Sequence, residues 1–291
     1  MYCPSVLVDP PTITPYRYGL FSVASIPPEP IDPQWQCGGY EYVTHACSEA
    51  STWDPDCESP AEKPVQGALS VVHADPFVVL AGPQCDLISS SLAEIEQSAR
   101  EALRLGEQRA VEERLWQRLS QCCDADGYDE SPAECCDDGQ PCCRVLNTVE
   151  GPEGALSVTA GLAALEEYAA NHYGGVPVIH SPRGMAAFTA AAGLIHRGNG
   201  VIETTVGSRW AMYGASLNTG PCGQAAPPGT AWMYATGAVT IRRGDVFVTP
   251  PRARDGFDHR HNRATVLAER LYAVSYECVC AAVLVTASCL C

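Results

Sequence analysis

Residues 89–119 read SSSLAEIEQSAREALRLGEQRAVEERLWQRL. Leu92, Ile95, Ala99, Ala102, Leu103, Ala110, Val111, Leu115 and Leu119 recur there at spacings of three and four, the period of one helix face. Ser91 followed three residues later by Glu94 is a capping box, and Glu96–Arg100 places acid N-terminal to base at i,i+4. The stretch predicts a helix of roughly 45 Å at 1.5 Å per residue. A helix of that length is a spine on which other elements pack.

The flanks are unlike it. Residues 1–34 contain Pro4, Pro10, Pro11, Pro15, Pro27, Pro28, Pro30 and Pro33. Proline removes an N–H and drives its predecessor out of helix, so this is an extended arm that must lie on something else. Residues 35–76 set Trp35, Tyr40, Tyr42 and Trp53 among acids and turn formers and read as a long β-hairpin excursion. Phe77-Val78-Val79-Leu80 reads as a short buried strand. Residues 121–150 form an acidic insertion with three adjacent cysteine pairs, Cys122-Cys123, Cys135-Cys136 and Cys142-Cys143.

Beyond it the pattern is α/β. Val158–Tyr173 predicts an alanine-rich helix capped by Gly174-Gly175, and Val176–His180 a strand. Pro182 predicts the first position of a helix running to about Ile195, and Gly198-Asn199-Gly200 a turn. Strands follow near Trp210–Tyr213, Ala231–Tyr234, Ala238–Ile241 and Asp245–Val248. Arg263–Val285 is a long strand region that needs a bulge or bend.

The chain has 291 residues, enough for one or two domains, and carries net charge −16. Residues 1–88 hold −9 of this and residues 121–150 hold −7, while 151–291 are nearly balanced. Such acidity opposes phosphate backbones and anionic membranes, both of which recruit basic surfaces. No apolar run reaches the roughly 18 residues of a spanning helix. Met1-Tyr2-Cys3-Pro4 lacks the basic and apolar regions of a signal peptide. Lys63 is the only lysine among 18 basic residues, a bias that fits a GC-rich genome.

No catalytic, cofactor-binding or metal constellation emerges. His180-Ser181 are strand neighbours pointing to opposite faces, at a strand end leading into a helix cap. Asp258-His259-Arg260-His261 lacks metalloprotease spacing, and Asp124–Glu130 lacks calcium-loop spacing. Sixteen cysteines remain. Adjacent cysteines converge poorly on one zinc ion. Disulfides within the insertion, disulfides between subunits and reduced packed thiols all stay open for Cys122, Cys123, Cys135, Cys136, Cys142 and Cys143. Cys278 and Cys280 share one face of a strand, which allows pairing with another element.

Four stretches carry a resemblance. They are Ala163–Tyr168 (AALEEY), Tyr173–Gly184 (YGGVPVIHSPRG), Pro228–Gly237 (PGTAWMYATG) and Asn262–Val274 (NRATVLAERLYAV). In that order, after an arm, an excursion and a spine helix, the chain resembles the major capsid protein family of tailed bacteriophages, whose fold encapsulins share. It is most similar to those of actinobacterial siphophages. The resemblance covers 150–291 by motif and 1–120 by element order.

The resemblance implies an α+β capsid fold with no enzymatic role. Residues 1–34 would be the N-terminal arm and 35–76 the E-loop. Residues 77–120 with 231–291 would form a peripheral domain, and 121–230 an axial domain that includes the insertion. It implies assembly of many copies, as hexamers and pentamers, into an icosahedral head enclosing double-stranded DNA without sequence-specific contacts. Portal, scaffolding and decoration proteins would be partners. The place would be the virion, after assembly in the bacterial cytoplasm. Trp35, Tyr40, Tyr42 and Trp53 become candidate subunit-interface residues. Lys63 becomes a candidate crosslink, because some relatives weld an E-loop lysine to an asparagine of another subunit. An encapsulin-like cargo shell and a disulfide-rich decoration or binding protein are the alternative readings.

Overall fold

The structure is a computed structural model. It describes residues 11–28, 34–45, 47, 50, 52–53, 71–82, 84–86, 91–121, 143–147, 154–250, 256–258, 260 and 263–287. In chain order, a single turn α1 (Trp35–Gly38) precedes strands β1 (Tyr40–Val43), β2 (Val71–Ala74), β3 (Pro76–Ala81) and β4 (Gln84–Asp86). Helix α2 (Leu92–Gln121) follows, then β5 (Arg144–Val145), α3 (Val158–His172), β6 (Val178–Pro182) and α4 (Met185–Ala191). Next come β7 (Ile195–Gly198), β8 (Val201–Thr204), β9 (Arg209–Tyr213), β10 (Thr230–Thr236), β11 (Val239–Arg243) and β12 (Phe247–Thr249). The chain closes with β13 (Phe257–Asp258), β14 (Arg263–Thr265), β15 (Leu267–Tyr276) and β16 (Cys280–Thr286).

The spine helix forms as its sequence predicts. The Glu94 carboxylate accepts the Ser91 backbone N–H at 2.6 Å, and Ser91 Oγ accepts the Glu94 N–H at 3.3 Å, a reciprocal box. Arg100 and Glu96 pair at 3.0 Å. Ile95, Ala99, Leu103, Val111, Leu115, Trp116 and Leu119 are buried along the inner face.

Among the described residues the main strands form two sheets around that helix. The order of the larger is β5-β16-β10-β6-β9-β8-β7. One face takes Leu162, Leu165 and Met185 from α3 and α4. The other meets α2 through Trp116, whose ring stands edge-on to Tyr213 and Tyr234. Strand β10 is buried at every position, which explains its near-continuous apolar run.

The smaller sheet is built on β15. β3 pairs along one edge, and β12 and β11 follow one another along the other. Val79, Ala268, Tyr272 and Val274 face α2. Strand β3 is therefore half-buried rather than buried. Its alternate residues Val78 and Leu80 stand 47% and 57% exposed on the outer face.

Other expectations shift. Arg263–Val285 is three strands, because the chain changes sheets at Glu277–Val279. Pro182 ends β6, and the following helix is confined to Met185–Ala191. Helix α3 ends in extended Tyr173, not in a glycine cap; a Cβ at Gly175 would crowd the Tyr173 ring. Asn199 and Gly200 have φ of 49° and 83° and close the β7–β8 hairpin, as their sequence predicts. The expected boundary at 230/231 is not marked by a change of sheet. β10 and β16 lie in the larger sheet, and the chain crosses between sheets at Gly237-Ala238 and Glu277–Val279. These crossings bond to each other, Glu277 N–H to Ala238 O at 3.0 Å and Gly237 N–H to Val279 O at 3.2 Å.

Candidate subunit interface and its anchors

Two buried glutamates of α2 hold the long-range structure. Glu112 is fully buried and accepts four donors. Tyr16 Oη (2.5 Å) and Gly214 N–H (2.8 Å) bond to Oε2; Leu20 N–H (2.9 Å) and Gln108 Nε2 (3.0 Å) bond to Oε1. One carboxylate thus ties the N-terminal arm to the spine helix and to the end of β9. Burial, then the Glu112 charge, pushes the Tyr16 hydroxyl well above its ordinary value, so it stays a donor.

Glu107 couples α2 to β15. Its Oε2 accepts Arg270 Nη1 and the Tyr272 hydroxyl, each at 2.8 Å. Arg118 then links helix, sheet and excursion, donating to Val274 O at 3.3 Å and to His73 O at 3.1 Å.

The excursion leaves as a two-stranded ribbon, with Tyr40 opposite Ala74 and Val43 opposite Val71. Its base is seated on the outer face of the smaller sheet. Trp35 is 5% exposed, against Ala74 and Ala273. The Tyr40 and Ser275 hydroxyls are 2.6 Å apart, and the Tyr42 hydroxyl donates to Tyr276 O at 2.9 Å. Arg242 lies over the Tyr40 ring at 5.1 Å. Burial raises both tyrosine pKa values above the ordinary phenol value. Trp35, Tyr40 and Tyr42 thus pack against or bond to the chain's own sheet, with Tyr40 and Tyr42 still partly exposed, and Trp53 is half-buried.

Beside these anchors several apolar residues are exposed. Val43 and Val71, directly paired, are exposed at its outer end. On the sheet, Val78 opposite Leu271, and Leu80 and Phe247 flanking Glu269, form the uncovered part of the outer face.

Among the described residues two disulfides join distant parts of the chain. Cys47 pairs with Cys278, Cα atoms 6.0 Å apart, and Cys143 pairs with Cys280. Cys222 is disulfide-bonded as well, and Cys37 is an exposed free thiol.

His180 and Ser181 sit inside β6 and are fully buried, not at a strand end. Thr236 Oγ1 donates to Gly237 O, so it accepts from His180 Nε2–H at 2.8 Å; His180 Nδ1 then accepts the Tyr213 hydroxyl at 2.8 Å. Burial holds the imidazole pKa down at about 3, so it is neutral. Ser181 turns to the opposite face and accepts Trp210 Nε1 at 2.8 Å.

Compared by sequence, the chain matches no family model and no curated protein. Compared by structure, it is similar along its full length to the capsid of Ralstonia phage GP4. The TM-score is 0.53 at 9% identity, covering 99% of this chain and 96% of that one. The chain has the phage capsid fold. The capsid of the native GTA particle aligns at TM-score 0.51 and 13% identity, with 96% of each chain covered. The empty GTA particle's capsid gives 0.51 at 10%, covering 96% and 100%.

Within the capsid fold, several expected site residues fall outside the described residues. They are Lys63, Cys122, Cys123, Cys135, Cys136 and Cys142, together with His259 and His261 of the Asp258–His261 stretch. Of the expected cysteines, Cys143, Cys278 and Cys280 are brought to one place. Among the described residues there is no cluster of metal-ligating side chains and no helix long and apolar enough to cross a membrane. Glu107 and Glu112 were not anticipated. The signal was present: Glu107 interrupts the every-fourth-residue row Ile95, Ala99, Leu103, Val111, Leu115, Leu119.

Proposed function

We propose that this chain is the major capsid protein of a tailed bacteriophage, and that its copies form the hexamers and pentamers of an icosahedral head around double-stranded DNA. The full-length likeness to capsid chains, covering 96% or more of both partners, carries this reading. Two features support it. The ribbon base is seated on the chain's own sheet while the ribbon's outer valines and the Val78, Leu80 and Phe247 face are exposed, as contacts between identical copies require. The acidity, concentrated in 1–88 and 121–150, suits a container that releases its genome.

In this reading residues 1–34 are the arm and 35–76 the E-loop; 77–120 with 231–291 are the peripheral domain, and 121–230 the axial domain. Trp35, Tyr40, Tyr42, Trp53 and the exposed ribbon end are the candidate contacts with a neighbouring subunit, and Lys63 is the candidate crosslink. Portal, scaffolding and decoration proteins are the partners, the virion is the location, and assembly occurs in the bacterial cytoplasm. The protein acts by association and not by catalysis.

The test is electron microscopy of the purified, expressed chain across salt and redox conditions. Rings of five and six or closed shells are expected. A monomer under every condition overturns the reading. A shell loaded with a host protein transfers it to an encapsulin-like container.

A further inference from the structure

Cys278 lies in Glu277–Val279, where the chain crosses from the smaller sheet to the larger. Its partner Cys47 lies just beyond β1, where the excursion leaves the ribbon. Two residues on, Cys280 opens β16, and its partner Cys143 directly precedes β5, the strand that pairs with β16. Cys47 and Cys143 are thus both stapled to one junction. The two staples differ in access. Cys143 and Cys280 are 6% and 2% exposed and sit in the core, whereas Cys47 and Cys278 are both half-buried. Thiol–disulfide exchange needs a thiolate to approach a sulfur from outside, so a core disulfide exchanges only after the surrounding structure opens.

We infer that Cys47–Cys278 is a redox-operated clamp on the root of the β-excursion, and that Cys143–Cys280 is a permanent staple. The clamp closes in two exchanges with a small-molecule disulfide. One protein thiolate displaces a small thiol and forms a mixed disulfide. The second protein thiolate displaces the other small thiol and forms the Cys47–Cys278 bond. The protein loses two electrons and two protons, and two small thiols are released. A small thiol drives the reverse. In the open state the ribbon keeps its Tyr40–Ser275 and Tyr42–Tyr276 bonds, but the chain beyond Val43 is freed from the junction between sheets. In a reducing cell the excursion can then settle on a neighbour; after release into oxidising medium it is fixed. That last consequence rests on the capsid reading, whereas the redox difference does not.

The test uses the full-length oxidised chain, unassembled, exposed to a dithiol without denaturant. Freed thiols are alkylated and located by peptide mass spectrometry. Cys47 and Cys278 are expected to label at least about tenfold faster than Cys143 and Cys280. Proteolytic cleavage within residues 44–70 is expected to accelerate in parallel. Equal labelling rates, or an unchanged cleavage rate once Cys47 and Cys278 are labelled, overturn the clamp. The Cys47→Ser/Cys278→Ser double variant, which retains the core staple, should cleave like the reduced wild type under oxidising conditions. Cleavage like the oxidised wild type also overturns it. Failure to form particles would refute the capsid reading and leave these results standing.

Discussion

Glu112 accepts the Tyr16 hydroxyl across 96 residues of chain, and through it the arm is fastened to the spine helix. The same carboxylate takes three further donors and has no room for a substitute with fewer accepting positions. Glu112→Gln replaces one accepting oxygen by an NH₂ group facing N–H or O–H donors. A loss of about 2 kcal/mol is expected, since a stranded buried donor costs about 1–3 kcal/mol. Urea denaturation measures it, and faster proteolysis within residues 11–28 should accompany it.

Gly19 lies against that carboxylate. Its φ of −89° suits any residue, so space alone requires glycine. A Cβ there would overlap Gln108 Nε2 and Glu112 Oε1. Gly19→Ala is expected to release the arm at a cost of about 1–3 kcal/mol. A melting temperature equal to wild type would show that the arm is not anchored there.

Glu107, Arg270 and Tyr272 form the second anchor. Glu107→Ala strands a guanidinium and a hydroxyl in a site only partly open to water, where losing one partner is expected to cost about 2 kcal/mol. Arg270→Met in the Glu107→Ala background should recover part of that loss. A double-mutant cycle reads the coupling, and a zero coupling energy would remove the pair from the account.

His180 makes stability pH-dependent. Its folded pKa, depressed to about 3 by burial, lies below the unfolded value near 6.5. Between them the unfolded chain binds the extra proton, so this contribution is present above about pH 6.5 and is lost as pH falls towards 3. One group supplies up to about 1.4 kcal/mol per pH unit. Stability measured at pH 6.5 and 4.5 should therefore fall more in the wild type than in His180→Gln.

On the capsid reading, assembly can be disturbed at the outer face of the smaller sheet without disturbing the fold. Leu80→Glu and Phe247→Glu change exposed positions, so monomer stability should move by no more than about 0.5 kcal/mol. Particle yield should collapse. Normal particles from both variants would place the subunit contact elsewhere.

Features whose partners lie within a few residues were legible. Ser91 with Glu94, Glu96 with Arg100, and the Asn199-Gly200 turn each complete their interactions within four positions. The buried glutamates were not, because all their partners but Gln108 lie 92 to 165 residues away and a helix surface pattern says nothing of what will cover it. The meeting of Trp35 with Ala273 and of Tyr40 with Ser275 was not legible either, since those pairs lie more than 230 residues apart. Cysteine pairing was open for the same reason: spacing places Cys278 and Cys280 two apart, but only the crossing between sheets puts Cys47 and Cys143 beside them.

Periodicity, caps and turn residues by themselves determined the spine helix, the Asn199-Gly200 turn and the order of the main elements, because those depend on short-range geometry. Tertiary structure decided which of its polar faces would be buried, where the chain passes between sheets, and which residues of each strand are left exposed. Those outcomes depend on which distant surfaces meet, and burial of a carboxylate or a thiol has no local cause that a row of residues could display.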